Sequence, residues 1–222
     1  MKKIFTVIVL FSLFLFYPMN NVQAQFGMKI GPNVGLNFNI GTGSDLKETM
    51  TGFGILFGAT ADMRFTPTIG LITNLQFYDN RSGSYDESGT YQGINYTVEN
   101  SASIAYFVIE PLFKLTLPAS NFYFVAGTGL GFNVESTGEQ TLKSANGQLT
   151  FNDGSTKSKT TLKDMLVRFE LKLGSGYDFV LSKLVTLTPQ LTFGYGITKV
   201  QSEISARIMT IQLQTSCKFS VL

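Results

Sequence analysis

The chain has no histidine, no tryptophan and one cysteine, and beyond its first two dozen residues it has no apolar run long enough to cross a bilayer as a helix. Each absence removes a class of explanation. Without histidine there is no Ser-His or Asp-His catalysis, and the commonest general base and metal ligand is missing. Cys217 alone cannot form an intrachain disulfide, so the fold holds without covalent staples. A membrane-spanning helix needs about 18 or more consecutive apolar residues, and none follows Ala24. Net charge is missing too: the 17 basic residues include Lys2 and Lys3, and without those two they equal the 15 acidic ones. Nothing in that balance points to nucleic acid or an anionic surface.

What is present begins with an address. Lys2 and Lys3 precede an apolar run from Ile4 to Tyr17, and Val22-Gln23-Ala24 resembles a small-residue cleavage site. The run stops at Pro18, too soon to span a bilayer. The sequence therefore predicts a signal peptide over residues 1–24 and one exported domain over 25–222. Gln25, not cysteine, follows the cut, so no lipid anchor is indicated.

Period two dominates the remainder. In residues 26–40 every even position is apolar or proline and every odd one is Gly, Lys or Asn. Similar alternation predicts strands over 53–65, 69–78, 103–117, 122–134, 162–179, 185–197 and 206–221. Most exceed the mean strand of about five or six residues and reach the roughly 9 to 11 that cross a bilayer at a tilt. Connections at 66–68, 118–121 and 180–184 are short, those at 41–52, 79–102 and 135–161 long, and 198–205 intermediate. That rhythm predicts an all-β, transmembrane, antiparallel up-and-down β-barrel of eight strands, with short periplasmic turns and long external loops. Asn146-Gly147 offers a hairpin between 141–145 and 148–151, which makes ten strands the alternative.

Composition assigns the faces. Thirteen of the 22 glycines lie on the polar face, where a narrow interior needs small residues. Lys29, Asp62, Arg64, Glu110, Lys114, Asp164, Arg168, Glu170, Lys172, Asp178 and Lys218 share that face, while the apolar face carries only Arg207. A charge at mid-membrane on the lipid side costs about 2 to 4 kcal/mol, so the polar face is predicted to line the lumen. Aromatic residues near strand ends, among them Phe38, Phe53, Phe122 and Phe179, fit interfacial girdles.

Gly35-Leu36-Asn37-Phe38, Ile109-Glu110-Pro111-Leu112-Phe113-Lys114 and Ala126-Gly127-Thr128-Gly129-Leu130-Gly131 resemble the first, fourth and fifth strands of PorT-type outer-membrane β-barrels. The chain is also similar to OmpA-like and OmpX-like eight-stranded barrels. The resemblance implies an outer-membrane fold more than a particular task, since one member of the family is linked to a secretion apparatus and many have no assigned role.

Glu110, Lys114, Arg168, Glu170 and Lys172 are the candidate lumen charge network. Paired carboxylates suit acid-base chemistry, but buried charges also need partners simply to exist, so the network reads as lumen filling and no catalytic or metal site is assigned. Gly127-x-Gly129-x-Gly131 lies within a strand and lacks the following helix of a phosphate loop, so no cofactor is expected. Tyr85, Tyr91 and Tyr96 fall in one polar loop and are the candidate ligand-binding residues, with Tyr123 noted beside them. Pro32, Pro111 and Pro189 lie within strands and call for bulges or strand-end positions. The reading is a non-enzymatic structural or surface-binding barrel with a largely plugged lumen; passive solute transport and an accessory role in a secretion machine are the alternatives. Its expected partners are outer-membrane lipid, the barrel-insertion machinery and a protein or small-molecule ligand at the external loops.

Overall fold

The computed structural model describes residues 27–147, 149–202 and 205–221. The leader expected over 1–24 lies outside the described residues, as does Phe26. The elements are β1 (Gly27–Gly43), β2 (Met50–Arg64), β3 (Ile69–Tyr91), β4 (Ile94–Thr116), β5 (Phe122–Ser144), a 3₁₀ turn (Ala145–Gly147), β6 (Lys157–Thr161), β7 (Arg168–Tyr177), β8 (Phe179–Val180), β9 (Val185–Gly196) and β10 (Ala206–Ser220). Pairing runs β1-β2-β3-β4-β5-β7-β9, and β10 closes the ring by pairing with both β9 and β1. The fold is thus a closed, antiparallel, up-and-down transmembrane barrel with eight strands in the ring. Closure pairs the edges that an open sheet would expose. β6 and β8 are short additions to β5 and β9, one at each end, so the ten-strand alternative is not a larger barrel.

Alternation sets the two surfaces as the sequence predicts. Asn33, Asn37, Thr60, Asn74, Gln190 and Gln212 point inward and are buried, while Val34, Leu173 and Leu213 are 61%, 62% and 53% exposed on the outside. An apolar exterior around a polar interior inverts a soluble protein and suits a bilayer. Phe38 and Phe53 pack at 5.1 Å near the long-loop end. Phe122 with Phe124 at 5.2 Å and Tyr177 with Phe179 at 4.6 Å mark the short-turn end.

Several strands differ from expectation. The segment 79–102 is not a loop: β3 and β4 continue as a paired hairpin to Tyr91 and Ile94. Gln92 and Gly93 turn it with φ of 50° and 78°, the positive pair that a type I′ two-residue turn needs. β5 likewise runs on to Ser144, and its partner there is β6, which pairs Thr137–Thr141 with Lys157–Thr161. The hairpin expected at Asn146-Gly147 with a return strand over 148–151 does not form; Ala145–Gly147 is a 3₁₀ turn and residues 149–151 are not strand. β7 begins only at Arg168, so Asp164 is exposed outside the strand, with φ 57°, rather than in the lumen. Arg64, at the end of β2, is exposed too.

The ladder accounts for the prolines. Pairing of β1 with β10 skips Gly31 and Pro32, and pairing of β4 with β5 skips Glu110 and Pro111, while each proline keeps its partner on the other side. Pro189 lies just past the last β7–β9 pair, Gly176 with Gln190. Each missing N–H therefore falls where one ladder lapses.

Candidate functional site

The lumen holds two charge clusters. Nearer the short-turn end, the Lys114 ammonium donates to Asp62 at 2.8 Å and Asp178 at 2.6 Å, and Lys218 donates to the same two carboxylates at 2.5 and 3.1 Å. Two acids and two bases neutralise one another there. The Lys114 ammonium also stands 4.3 Å over the ring of Tyr123, whose hydroxyl donates to Gln190 at 3.1 Å.

The second cluster begins at mid-barrel and climbs toward the long-loop end. Lys172 donates to Glu110 and lies 3.2 Å from Glu170; Arg168 donates to Glu170 at 2.6 Å, and Arg81 is ion-paired with Asp79 and 3.7 Å from Glu170. Three acids balance three bases, all of them buried. Unpaired, such charges would be very costly to bury; paired and hydrogen-bonded they are tolerated.

Of the predicted network, Glu110, Arg168, Glu170 and Lys172 come together, while Lys114 belongs to the other cluster. Asp79 and Arg81 were missed. Between Gln76 and Asp79 the β3 register slips by a bulge, which moves inward residues from even to odd numbers and turns Asp79 and Arg81 into the lumen. The slip was detectable as Phe77-Tyr78, two adjacent aromatics where strict alternation allows one outward.

A belt of hydrogen bonds ties these charges to the wall. Asn33 donates to Thr60 at 2.7 Å, Thr60 to Asn74 at 2.8 Å and Asn74 to Glu110 at 3.1 Å. Across the lumen Lys172 donates to Gln212 at 2.8 Å, Gln212 to Gln214 at 3.0 Å, and Gln76 to Gln214 at 3.1 Å. Side chains from β1, β2, β3, β4, β7 and β10 thus meet in one network.

Three inward glycines make room for these side chains, while others, such as Gly31 and Gly54, lie against the backbone carbonyl of a neighbouring strand. A Cβ at Gly129 would stand 2.8 Å from Glu170 Oε1, and one at Gly194 would stand 2.9 Å from Glu170 Oε2. A Cβ at Gly176 would meet the Tyr123 hydroxyl at 2.3 Å. The space is occupied by long polar side chains.

Tyr85, Tyr91 and Tyr96 are on strands rather than in a loop. Register places Tyr85 opposite Asn100, Gly89 opposite Tyr96 and Tyr91 opposite Ile94, so all three tyrosines share one face of the β3–β4 arm. Val98, opposite Leu142, adds aliphatic surface to that face. Asp86, Thr97, Glu99 and Lys143 are on the other, where Lys143 donates to Glu99 at 2.8 Å. That contact holds the Glu99 carboxyl below its ordinary pKa and the Lys143 ammonium above its own. Tyr123 is not a loop residue; it points into the lumen and is fully buried.

No family model and no curated protein matches the chain. Among solved structures it is similar to Ail, the attachment invasion locus protein of Yersinia pestis, at 10% identity over 87% of this chain and 99% of that one, with a TM-score of 0.39. Neisserial surface protein A aligns at 12% identity over 86% and 97%, with a TM-score of 0.39. The outer membrane protein OprG from Pseudomonas aeruginosa aligns at 10% identity over 90% and 99%, with a TM-score of 0.38. The assignment of the chain as a membrane barrel rests on its own closed strand ring and apolar exterior.

Proposed function

We propose that this chain is a non-enzymatic outer-membrane barrel whose lumen is closed by its own side chains and which binds a partner through the sheet arm that β3, β4, β5 and β6 raise at the long-loop end. The observation that carries the reading is the sorting of the arm: Tyr85, Tyr91 and Tyr96 with Ile94 and Val98 on one face, where Glu87 pairs with Lys47, and Asp86, Glu99, Glu139 and Lys143 on the other. Tyrosines on a rigid sheet offer large amphipathic contact area at low entropy cost. Export through a cleaved leader, insertion by the barrel-assembly machinery and kinship with PorT-type barrels belong to the same proposal; the kinship is supported by the strand motifs around Gly35, Glu110 and Gly127. Solute passage is the weaker reading, because Glu170 and Tyr123 fill the room that the glycines leave.

Site-specific crosslinking on native cells tests this. With Cys217 replaced by serine, a cysteine at Tyr91 should react with a membrane-impermeant maleimide, and a photocrosslinker there should give adducts that one at Thr97, on the opposite face, does not. Equal labelling of both faces by partners, or no adducts from the Tyr91 position, would overturn it.

A further inference from the structure

Above the upper charge cluster, where the loops of the long end fold toward the axis, lies a cavity of about 170 Å³. Its walls are mostly aliphatic, with Leu46, Met50, Ile104, Leu162 and Ile208 among them; Arg81, Arg207, Ser82 and Gln201 are polar residues of the lining. Leu162, Met165 and Val200 pack against a buried cluster of Ile104, Tyr106, Val108 and Ile208, so these walls are held by a small apolar core of their own. An apolar cavity of about 150 Å³ is large enough for benzene. Bound water is a poor tenant, since it needs about two to four polar partners. Asn39, also at the wall, is already engaged with the Ser82 carbonyl and with Thr210.

Arg81 is different. Its Nε donates to Asp79 at 3.0 Å and its Nη2 pairs with Asp79 and Glu170, but its buried Nη1 has no hydrogen-bond partner among the described residues. A buried N–H left unmatched costs free energy that a ligand acceptor would recover. The guanidinium charge is already balanced by two carboxylates, so a second anion gains little and a neutral acceptor suffices.

We propose that this cavity is a binding site for a compact, uncharged, mainly apolar molecule of monocyclic size that carries one hydrogen-bond acceptor, received by Arg81. The site is separate from the tyrosine face of the arm and does not require that face to bind anything.

Methyl-resolved NMR of the full barrel in lipid nanodiscs tests it, with α-methylstyrene and acetophenone as probes of nearly equal bulk, the second carrying a carbonyl oxygen where the first has a methylene. Both should shift the Met50, Ile104 and Ile208 methyls saturably, acetophenone with about tenfold higher affinity for its added hydrogen bond to a charged donor. Shifts that grow linearly with solute, alike on these methyls and on lipid-facing Ile30, would mean partitioning into lipid and overturn the site. Equal affinities would overturn the role of Arg81. Ala206→Phe should fill the cavity and abolish saturable shifts. Should that variant fail to fold, Leu162→Trp, in a residue outside the strands, blocks the same space. Undiminished binding in a folded blocked variant would overturn the location.

Discussion

Glu110 shows why lumen residues are coupled rather than additive. It is fully buried and accepts from Asn74 at 3.1 Å and from Lys172. Glu110→Ala should cost on the order of 3 to 5 kcal/mol, because it leaves Lys172 only Glu170, already shared with Arg168 and Arg81, and the buried cluster with an unmatched positive charge. The double variant Glu110→Leu with Lys172→Met should recover most of the loss, since an apolar pair of similar size is often neutral against a buried ion pair. Denaturant titration of the barrel in lipid, with the two single variants completing the cycle, reads both effects. A different residue-scale effect belongs to the first long loop. There the Asp45 carboxylate accepts the Ser205 backbone N–H at 2.7 Å, which with the Ser44 hydroxyl holds its pKa below the ordinary 3.8. A lowered carboxylate pKa means that this tether is intact above the ordinary value and is lost as pH falls through the lowered one. The Ser205 amide shift should therefore titrate with a midpoint below 3.8, and Asp45→Asn should remove that titration.

Among the elements, the β3–β4 hairpin is the one that composition concealed. Residues 79–102 are rich in Ser, Asn, Asp and Gly, which read as loop, yet every residue from Asp79 to Tyr91 finds a cross-strand partner. Partnership with a long neighbour, not intrinsic propensity, makes these residues strand. The local signal was the Gln92-Gly93 pair, weaker than the Asn146-Gly147 that drew attention and turned no hairpin. Conversely, β1 and β10 were legible almost to the residue, because one face meets lipid and the other the lumen for their whole length. In the candidate site, Glu110, Arg168, Glu170 and Lys172 were legible from parity alone, whereas Asp79 and Arg81 stood beyond a bulge that resets parity. The three tyrosines were found as a group, but their common face needed the register. Gly93→Val tests the arm as a separable element. A β-branched residue at φ 78° should cost about 1 to 2 kcal/mol and fray the arm from its tip. Hydrogen exchange should quicken for amides of residues 85–100 and stay unchanged for 106–116; loss of protection throughout would show that arm and barrel unfold as one.

At the scale of the whole molecule, ring size and lumen contents act together. Eight strands enclose a space just wide enough for side chains to fill, and here ten buried charged residues in two neutral clusters stand in it. An ion crossing would have to shed water in a lumen where Lys172, Glu170 and Arg168 are already matched with one another, so it finds neither spare charge nor free volume. The intact protein should accordingly show no large, steady conductance in planar bilayers. Replacing Glu110, Arg168, Glu170 and Lys172 together by serine removes two acids and two bases, leaves the clusters electrically balanced and shortens four of the six charged side chains of the upper cluster. That variant, if it still shows the heat-dependent gel mobility of a folded barrel, should open small stable channels where the parent has none. Steady porin-sized openings in the parent would mean that the paired side chains do not close the lumen and would make solute passage its leading function.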